Sequence, residues 1–198
     1  DQMETLLLRL IRGSGSRGLS CIPRRRVLGT SRLLRPLLDI DREELQSYAE
    51  SEQLNWVADD SNEDERFDRN YCRHSLLPLI EKRWPGYRES WSKSVVLASE
   101  SEALNQELAA IDLAEIIAES DSVVNKRKLL AFSEPRRRNV LRYWLAGLGA
   151  NDLGWNQLWR LSNEVLLSSN GQFIADDVQI FCFHERVYVI ALQVMDQD

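Results

Sequence analysis

Helix-forming patterns dominate the first part of the chain. The opening segment DQMETLLLRLIRGSG places apolar residues three and four positions apart, which predicts an amphipathic helix that ends at Gly13. The run RRRVLGTSRLLRPLL is broken by Gly29 and Pro36 and favours short extended segments. Asp41, with a glutamate three positions later, has the pattern of a capping box, so another helix is predicted from there to about Leu54.

The middle of the chain predicts a loop followed by two helices. The stretch NWVADDSNEDER is polar and typical of turns, and it precedes a helical pattern that begins near Arg66 and is expected to be interrupted at Pro78. Between Gly86 and about Ser120 neither glycine nor proline occurs. We therefore expect one long helix there.

The last third predicts two helices and then strands. A helix is expected after Ser133, and a second one over residues 155–166 with Trp155 and Trp159 among its core-facing residues. The closing runs FIADD, VQIFCF and VYVIAL are rich in β-branched and aromatic residues and indicate a small antiparallel meander. The pattern thus predicts a mainly α protein with short β elements, in two domains over residues 1–83 and 84–198.

Composition excludes several classes of protein. Of the 198 residues 43% are hydrophobic, and no apolar run approaches the ~20 residues that a membrane span needs, so no membrane role is expected. The start of the chain has no signal-peptide pattern. Cys21, Cys72 and Cys182 are widely spaced, without a CxxC pair, which predicts reduced thiols in a cytoplasmic protein. With only two histidines present, no structural metal site is predicted.

Positive charge is concentrated in two stretches although the net charge is -6. The first 35 residues hold eight arginines against Asp1 and Glu4, and residues 126–142 hold seven basic residues against Glu134. Such local patches can attract a polyanion even in an acidic protein. Scattered solvated surface charge is the alternative interpretation.

Three segments in order carry a family resemblance: DQMETLLLRLIRGSGSRGL, RLLRPLLDIDREEL and WVADDSNEDERFDRNYCRHSLLPLI. They resemble the second half of the catalytic domain of bacterial tRNA(Ile)-lysidine synthetases, an α/β pyrophosphate-loop domain. PRRRNVLRYWLAGLG and the closing strands are similar to the helical substrate-binding domain of that family. The SGGxDS loop of the family would lie before Asp1 and its C-terminal domain after Asp198, so this chain alone is expected to be inactive.

The resemblance implies an ATP-dependent ligase that uses Mg²⁺. ATP adenylates the C2 oxygen of the wobble cytidine in a tRNA(Ile) with a CAU anticodon, and free L-lysine then displaces AMP. The implied partners are therefore that tRNA and lysine. The oligomeric state, a homodimer included, is left open.

The resemblance also implies site residues, each with a structural alternative. Asp1, Glu4 and Arg69 would be catalytic, the two carboxylates lying on one helical face where they could hold the lysine ammonium or a magnesium ion. Their alternative role is compensation of the helix dipole. Asn70 and Arg73 would bind substrate. Arg69 and Arg73 would bind a phosphate group or a developing oxyanion. Ion pairs to Glu65 and Asp68 are the alternative role of these two arginines. Asp59, Ser61 and Asn62 are interpreted as scaffold.

Arg136, Arg137 and Arg138 are the remaining candidates for substrate binding. They occupy the first turn of a predicted helix, where basic side chains oppose the helix dipole. Their clustering there predicts an anion, namely tRNA phosphate. A solvated arginine face is the alternative.

Two other functions are compatible with parts of the sequence. The tRNA thiolases share the pyrophosphate-loop fold, but their cysteine-dependent members need thiols close together, and three scattered cysteines disfavour this class. A noncatalytic helical RNA-binding or protein-interaction module is the second alternative.

Overall fold

The computed structural model describes residues 1–57, 60–150, 153–175 and 178–192. The chain divides into two compact units, Asp1–Glu102 and Ala103–Asp198. The division falls inside the long helix Tyr87–Ile116, which was expected from the absence of glycine and proline. The domain boundary predicted between residues 83 and 84 stays a prediction.

The described residues of the first unit form helices and one hairpin, joined by loops. Its helices are α1 (Gln2–Ile11), α2 (Ser16–Leu19), α3 (Arg42–Ser51), α4 (Asp68–Tyr71), α5 (Leu77–Arg83) and the start of α6 (Tyr87–Ile116), with a 3₁₀ turn at Asp60–Glu63. The hairpin consists of β1 (Arg25–Leu28) and β2 (Ser31–Leu34), which pair antiparallel. The extended segments predicted around Gly29 are therefore confirmed, and Gly29 takes a positive φ of 59° in the turn between them.

A π-helical turn joins α4 to α5. It covers Cys72–Leu76, and Leu77 continues the helix directly. The regular α-helix is interrupted two residues before Pro78, by this π-helical turn, and Pro78 itself lies in the first turn of α5.

Capping at α3 also differs from the expectation. Asp41 is the N-cap residue of α3, but its side chain makes no capping hydrogen bond. The helix itself is present as predicted, without the capping hydrogen bond.

The second unit packs helices against a four-stranded antiparallel sheet. It holds β3 (Val123–Asn125), α7 (Lys126–Ala131), α8 (Glu134–Gly147), α9 (Trp155–Arg160), a second π-helical turn (Leu161–Val165), β4 (Gln172–Ala175), β5 (Val178–Phe183) and β6 (Arg186–Ala191). The strand order is β3-β6-β5-β4. The closing meander is confirmed, and β3 adds a strand from earlier in the chain.

The core of this unit lies between α8, the α9 region and the sheet. Fully buried side chains come from every layer, among them Leu141, Leu145, Leu158, Ile180 and Val187. Trp155 and Trp159 were expected in this core and are exposed instead. Among the described residues, no helix is both long and apolar enough to cross a bilayer.

Candidate functional site

Four charged residues from two distant segments of the first unit meet at one place. Asp1 and Glu4 lie at the start of α1, Arg69 lies in α4, and Arg73 lies in the π-helical turn that follows. All four were predicted from the sequence as site residues. The structure brings them within hydrogen-bonding distance of one another.

Arg73 makes the largest share of the contacts in this cluster. Its Nε donates to Glu4 Oε1 at 2.8 Å, and its Nη2 donates to Glu4 Oε2 at 3.2 Å and to Asp1 Oδ1 at 3.1 Å. Arg69 Nε donates to Glu4 Oε2 at 3.1 Å, and its Nη2 lies 3.4 Å from Asp1 Oδ1. Both guanidinium groups thus bridge both carboxylates. The two arginines are not paired with Glu65 and Asp68, the alternative partners. Glu65 accepts a hydrogen bond from Ser75, and Asp68 accepts one from Arg12.

Burial within the cluster is uneven. The side chain of Glu4 is 6% exposed and that of Arg73 19%, whereas Arg69 is 46% and Asp1 64% exposed. Burial pushes the pKa of Glu4 upward, but hydrogen bonds and charge around it, foremost from Arg73, outweigh that effect and lower the pKa below its usual value. Glu4 is therefore a buried, ionised anchor, while Arg69 and Asp1 face solvent.

A groove of about 700 Å³ opens beside the cluster, with Glu4 and Arg73 in its wall. Seven Asp or Glu residues and three arginines line it, together with apolar side chains such as Leu45 and Leu77. Of the arginines, Arg73 is paired within the cluster and Arg88 lies near Glu81 and Asp41, at 3.4 and 3.8 Å. The groove is therefore suited to a small ligand that carries both cationic and apolar groups.

The acidic residues Asp41, Glu81 and Glu89 of this groove were not predicted from the sequence as site residues. They are separated along the chain, and each stands in a locally ordinary helical context. Their common feature is a position on the helices that border the groove, which no spacing rule reports.

Asn70 lies next to the cluster and acts on the preceding loop. Its side chain is buried, and Nδ2 donates to the carbonyl oxygens of Ser61 at 2.8 Å and of Asp64 at 3.0 Å. The amide thus fixes the loop that Ser61 and Asn62 were predicted to scaffold. A direct substrate contact by Asn70 stays a prediction, and Asp59 lies outside the described residues.

The three arginines of the first turn of α8 have protein partners. Arg136 forms a bidentate ion pair with Asp112, which is fully buried. Arg137 donates to the carbonyl oxygens of Ser162, Leu130 and Phe132 at 3.2 to 3.3 Å.

Arg138 pairs with Glu134 at 3.2 Å and lies over the ring of Trp155 at 5.0 Å from its centroid. These contacts give the arginine turn a structural explanation that needs no anion. Binding of tRNA phosphate by Arg136, Arg137 and Arg138 stays a prediction, with Arg136 the most exposed of the three.

Metal binding has no support in the geometry of the cluster. Among the residues that the structure describes, no group of three or more His, Cys, Asp or Glu side chains could hold a metal ion. Asp1 and Glu4, the carboxylates considered for magnesium, each contact both arginines. Their lone pairs are already engaged by cations, so they do not fit a magnesium site in this arrangement.

Comparison with known families assigns both units. Residues 1–80 match the PP-loop domain family, and residues 126–188 match the TilS substrate binding domain family. The cluster of Asp1, Glu4, Arg69 and Arg73 lies entirely within the PP-loop match. The three arginines of α8 lie within the substrate binding domain match.

Relatives from several bacteria resemble the chain over nearly its whole length. The tRNA(Ile)-lysidine synthase of Serratia proteamaculans is 42% identical over 195 residues, which cover 97% of this chain and 44% of that relative. The synthase of Coxiella burnetii is 41% identical, covering 96% of this chain and 42% of the relative. The chain thus spans less than half the length of these relatives, and it belongs to the tRNA(Ile)-lysidine synthase family.

Proposed function

We propose that this chain forms the lysine-binding part, and one part of the tRNA-binding surface, of a tRNA(Ile)-lysidine synthase. The observation that carries the proposal is the acidic groove beside Glu4 and Arg73. A free lysine offers two ammonium groups, one carboxylate and an apolar chain, which matches a groove lined by seven carboxylates, three arginines and apolar side chains. The similarity to the synthases supports the same conclusion.

The proposed reaction proceeds in two steps. In the first, the C2 oxygen of the wobble cytidine attacks the α-phosphorus of ATP, so that an O–P bond forms and pyrophosphate leaves. In the second, the neutral amine of lysine attacks C2, the C–O bond breaks, and AMP leaves with that oxygen. The attacking nitrogen loses a proton, and the product carries lysine on C2.

The residues of the cluster take different parts in this scheme. Glu4, held ionised by Arg73, anchors the cluster, and the carboxylates of Glu81 and Glu89 in the groove provide negative charge for an ammonium group of lysine. Arg73 positions Glu4 and stays with it, because it is mostly buried. Arg69 is half exposed and makes fewer contacts, so it is the guanidinium that can turn from Asp1 toward the adenylated intermediate.

Several expected features remain predictions within this proposal. A cytoplasmic location rests on the scattered cysteines, a tRNA substrate with a CAU anticodon rests on the family resemblance, and a homodimer is left open. ATP use is supported by the PP-loop match. The use of magnesium rests on the family resemblance.

The test measures lysine transfer by the protein expressed from its complete gene. Purified protein is incubated with ATP, a tRNA(Ile) transcript and labelled lysine, and label in the tRNA is counted. Glu81→Gln removes one groove carboxylate and is expected to raise KM for lysine about tenfold, the scale of one charged hydrogen bond. Glu52→Gln, an exposed residue outside the groove, is the matched control and should leave KM unchanged.

Ligand specificity provides the second arm of this test. Norleucine has the length of lysine without the side-chain ammonium, and it should neither be transferred nor compete. Tight tRNA binding without any lysine transfer would favour the noncatalytic RNA-binding module instead. Equal KM values in Glu81→Gln and Glu52→Gln would remove the groove from the lysine site.

A further inference from the structure

We propose that the hairpin formed by β1 and β2 binds the phosphate backbone of the RNA substrate. This inference rests on the proposed function, because it assigns a contact surface for the tRNA of that reaction. The segment Arg24–Arg35, called the arginine hairpin below, holds five arginines and no acidic residue. It therefore carries a dense positive charge within an acidic chain.

Two of these arginines are used to fix the base of the hairpin. Arg24 forms an ion pair with Asp39, and Arg35 Nη1 donates to the carbonyl oxygen of Pro23 at 2.9 Å. The backbone N–H of Arg35 also donates to the carbonyl oxygen of Arg24 at 2.9 Å, which closes the hairpin. Both strands of the hairpin are thus held at its base.

The three inner arginines, Arg25, Arg26 and Arg32, do not hold the hairpin in place. Within the part of the chain that the structure describes, Arg25, Arg26 and Arg32 have neither an ion pair nor a side-chain hydrogen bond, and all three are exposed. A guanidinium group with five donors and no protein partner is well suited to bind phosphate oxygens. These side chains contribute charge that the fold itself does not use.

The strand register sets the spacing of these charges. Arg25 pairs with Leu34, and Val27 pairs with Arg32, so Arg25 and Arg32 are diagonal neighbours on one face. Such neighbours lie about 7 to 8 Å apart, close enough for both to contact one stretch of backbone. Arg26 pairs with Leu33 on the opposite face. The hairpin can therefore contact backbone from both of its faces.

The low stability expected of an isolated hairpin also indicates that a partner covers it. A two-stranded sheet alone is marginally stable in water, and every residue of β1 and β2 is exposed. The three unpaired arginines and the absence of acidic side chains complement a polyanion, and Val27, Leu28, Leu33 and Leu34 expose apolar side chains on the same hairpin. Phosphate contacts position an RNA without reading its sequence.

The experiment compares tRNA binding by two variants of equal charge in the protein expressed from its complete gene. Arg25→Gln/Arg26→Gln/Arg32→Gln removes the three unpaired charges of the hairpin. The control, Lys82→Gln/Arg83→Gln/Lys93→Gln, removes three charges from the exposed surface of α5 and α6. Dissociation constants are measured at several salt concentrations for a tRNA(Ile) transcript and for a noncognate tRNA.

The hairpin variant should bind both tRNAs more weakly by a similar factor. The slope of log affinity against log salt concentration should decrease in magnitude by about 0.7 to 0.9 for each phosphate that is no longer neutralised. The control should keep the slope of the parent protein. Arg25→Lys/Arg26→Lys/Arg32→Lys should retain most of the slope because it keeps the charge. Arg32→Gln alone should flatten the slope by the amount expected for about one phosphate, which keeps the test valid if the triple variant folds poorly.

Several outcomes would overturn the proposal. These are a hairpin variant with the parent slope, a loss of affinity no larger than that of the control, or a loss of affinity confined to the cognate tRNA. Weaker self-association with unchanged tRNA binding would show that the hairpin contacts a second copy of the chain. Lysine transfer by the unsubstituted protein is assayed separately, so a failure of the proposed function is distinguished from a failure of the hairpin.

Discussion

Arg73 Nε lies 2.8 Å from Oε1 of Glu4, although the two residues are 69 positions apart in the chain. This hydrogen bond joins the first turn of α1 to the π-helical turn after α4. Because both partners are largely buried, the pair forms only when both segments are in place. The geometry of the candidate site is therefore coupled to the folding of the first unit.

Replacing Arg73 by Lys should impair both folding and lysine binding. The variant keeps the charge but loses the fork of donors that bridges Glu4 and Asp1, at a cost of about 1.5 to 3 kcal/mol, the value of a hydrogen bond to a charged group. Urea unfolding and KM for lysine measure the two effects. Arg12→Lys, which alters an exposed pair with Asp68, is the control and should change neither. A lower stability with unchanged KM would mean that Arg73 has no role in the site.

The contribution of Glu4 to stability should depend on pH in a defined direction. Its pKa is lowered in the folded protein, so its ionised form stabilises the fold above the ordinary glutamate pKa of about 4.3. That contribution is lost as the pH falls through the lowered pKa. The difference in free energy of unfolding between the parent and Glu4→Gln should therefore be largest near neutral pH and shrink in acid. A difference that stays constant from pH 7 to pH 3 would contradict this prediction.

The buried position of Glu4 changes what its removal should do to the fold. A residue on a polar helix face would be replaceable at little cost, but Glu4 neutralises Arg73 in a buried setting. Glu4→Ala should consequently be less stable than Glu4→Gln, which retains hydrogen-bonding oxygen and nitrogen. Kinetic data on Glu4→Ala need a folding control for this reason.

Arg137 should matter more for stability than Arg138, its neighbour in the same turn. Arg137 donates to three carbonyl oxygens that would lose a charged partner, whereas Arg138 pairs with a glutamate in the adjacent helical turn. Arg137→Gln should lose at least about 1.5 to 3 kcal/mol, and Arg138→Gln less than about 1 kcal/mol. Thermal unfolding of the two single variants gives the comparison. Equal melting temperatures would show that the carbonyl contacts are weak in solution.

Gly171 should not tolerate a side chain. A Cβ atom built there would lie 2.1 Å from the carbonyl oxygen of Val165, and the carbonyl of Gly171 accepts a hydrogen bond from Cys182 N at 2.8 Å. Gly171→Ala must therefore shift backbone in the second unit and should cost about 1 to 3 kcal/mol. Gly147→Ala is the matched control, since nothing lies within 4 Å of its Cβ position and α8 should gain up to about 1 kcal/mol. Similar melting temperatures for the two variants would refute this prediction.

Local patterns in the sequence were sufficient for most of the secondary structure. The long helix α6, the hairpin around Gly29 and the closing strands all follow from periodicity and from glycine and proline positions. The strand β3 was missed because three residues carry too little pattern. Its pairing with β6 is a contact between distant parts of the chain.

The four charged residues of the cluster were predictable from the sequence, but the acidic residues of the groove and the arrangement of the site were not. The family segments identified Asp1, Glu4, Arg69 and Arg73, and the structure brings them together. The partners of the α8 arginines were not predictable, because Asp112 lies on another helix and Arg137 bonds to backbone carbonyls, which carry no sequence signal. Sequence spacing reports one helical face, while these contacts depend on how elements pack.

The π-helical turn at Cys72–Leu76 sets the rotational phase between two sides of the site. Arg69 precedes it, and Leu77 and Glu81, which line the groove, follow it. Removing one residue from this turn would allow a regular α-helix, but each residue advances an α-helix by about 100°. All downstream side chains would then rotate by that angle relative to Arg69, and Glu81 would leave the groove without any change in its identity. The length of this turn is therefore as much a determinant of the site as the charged residues themselves.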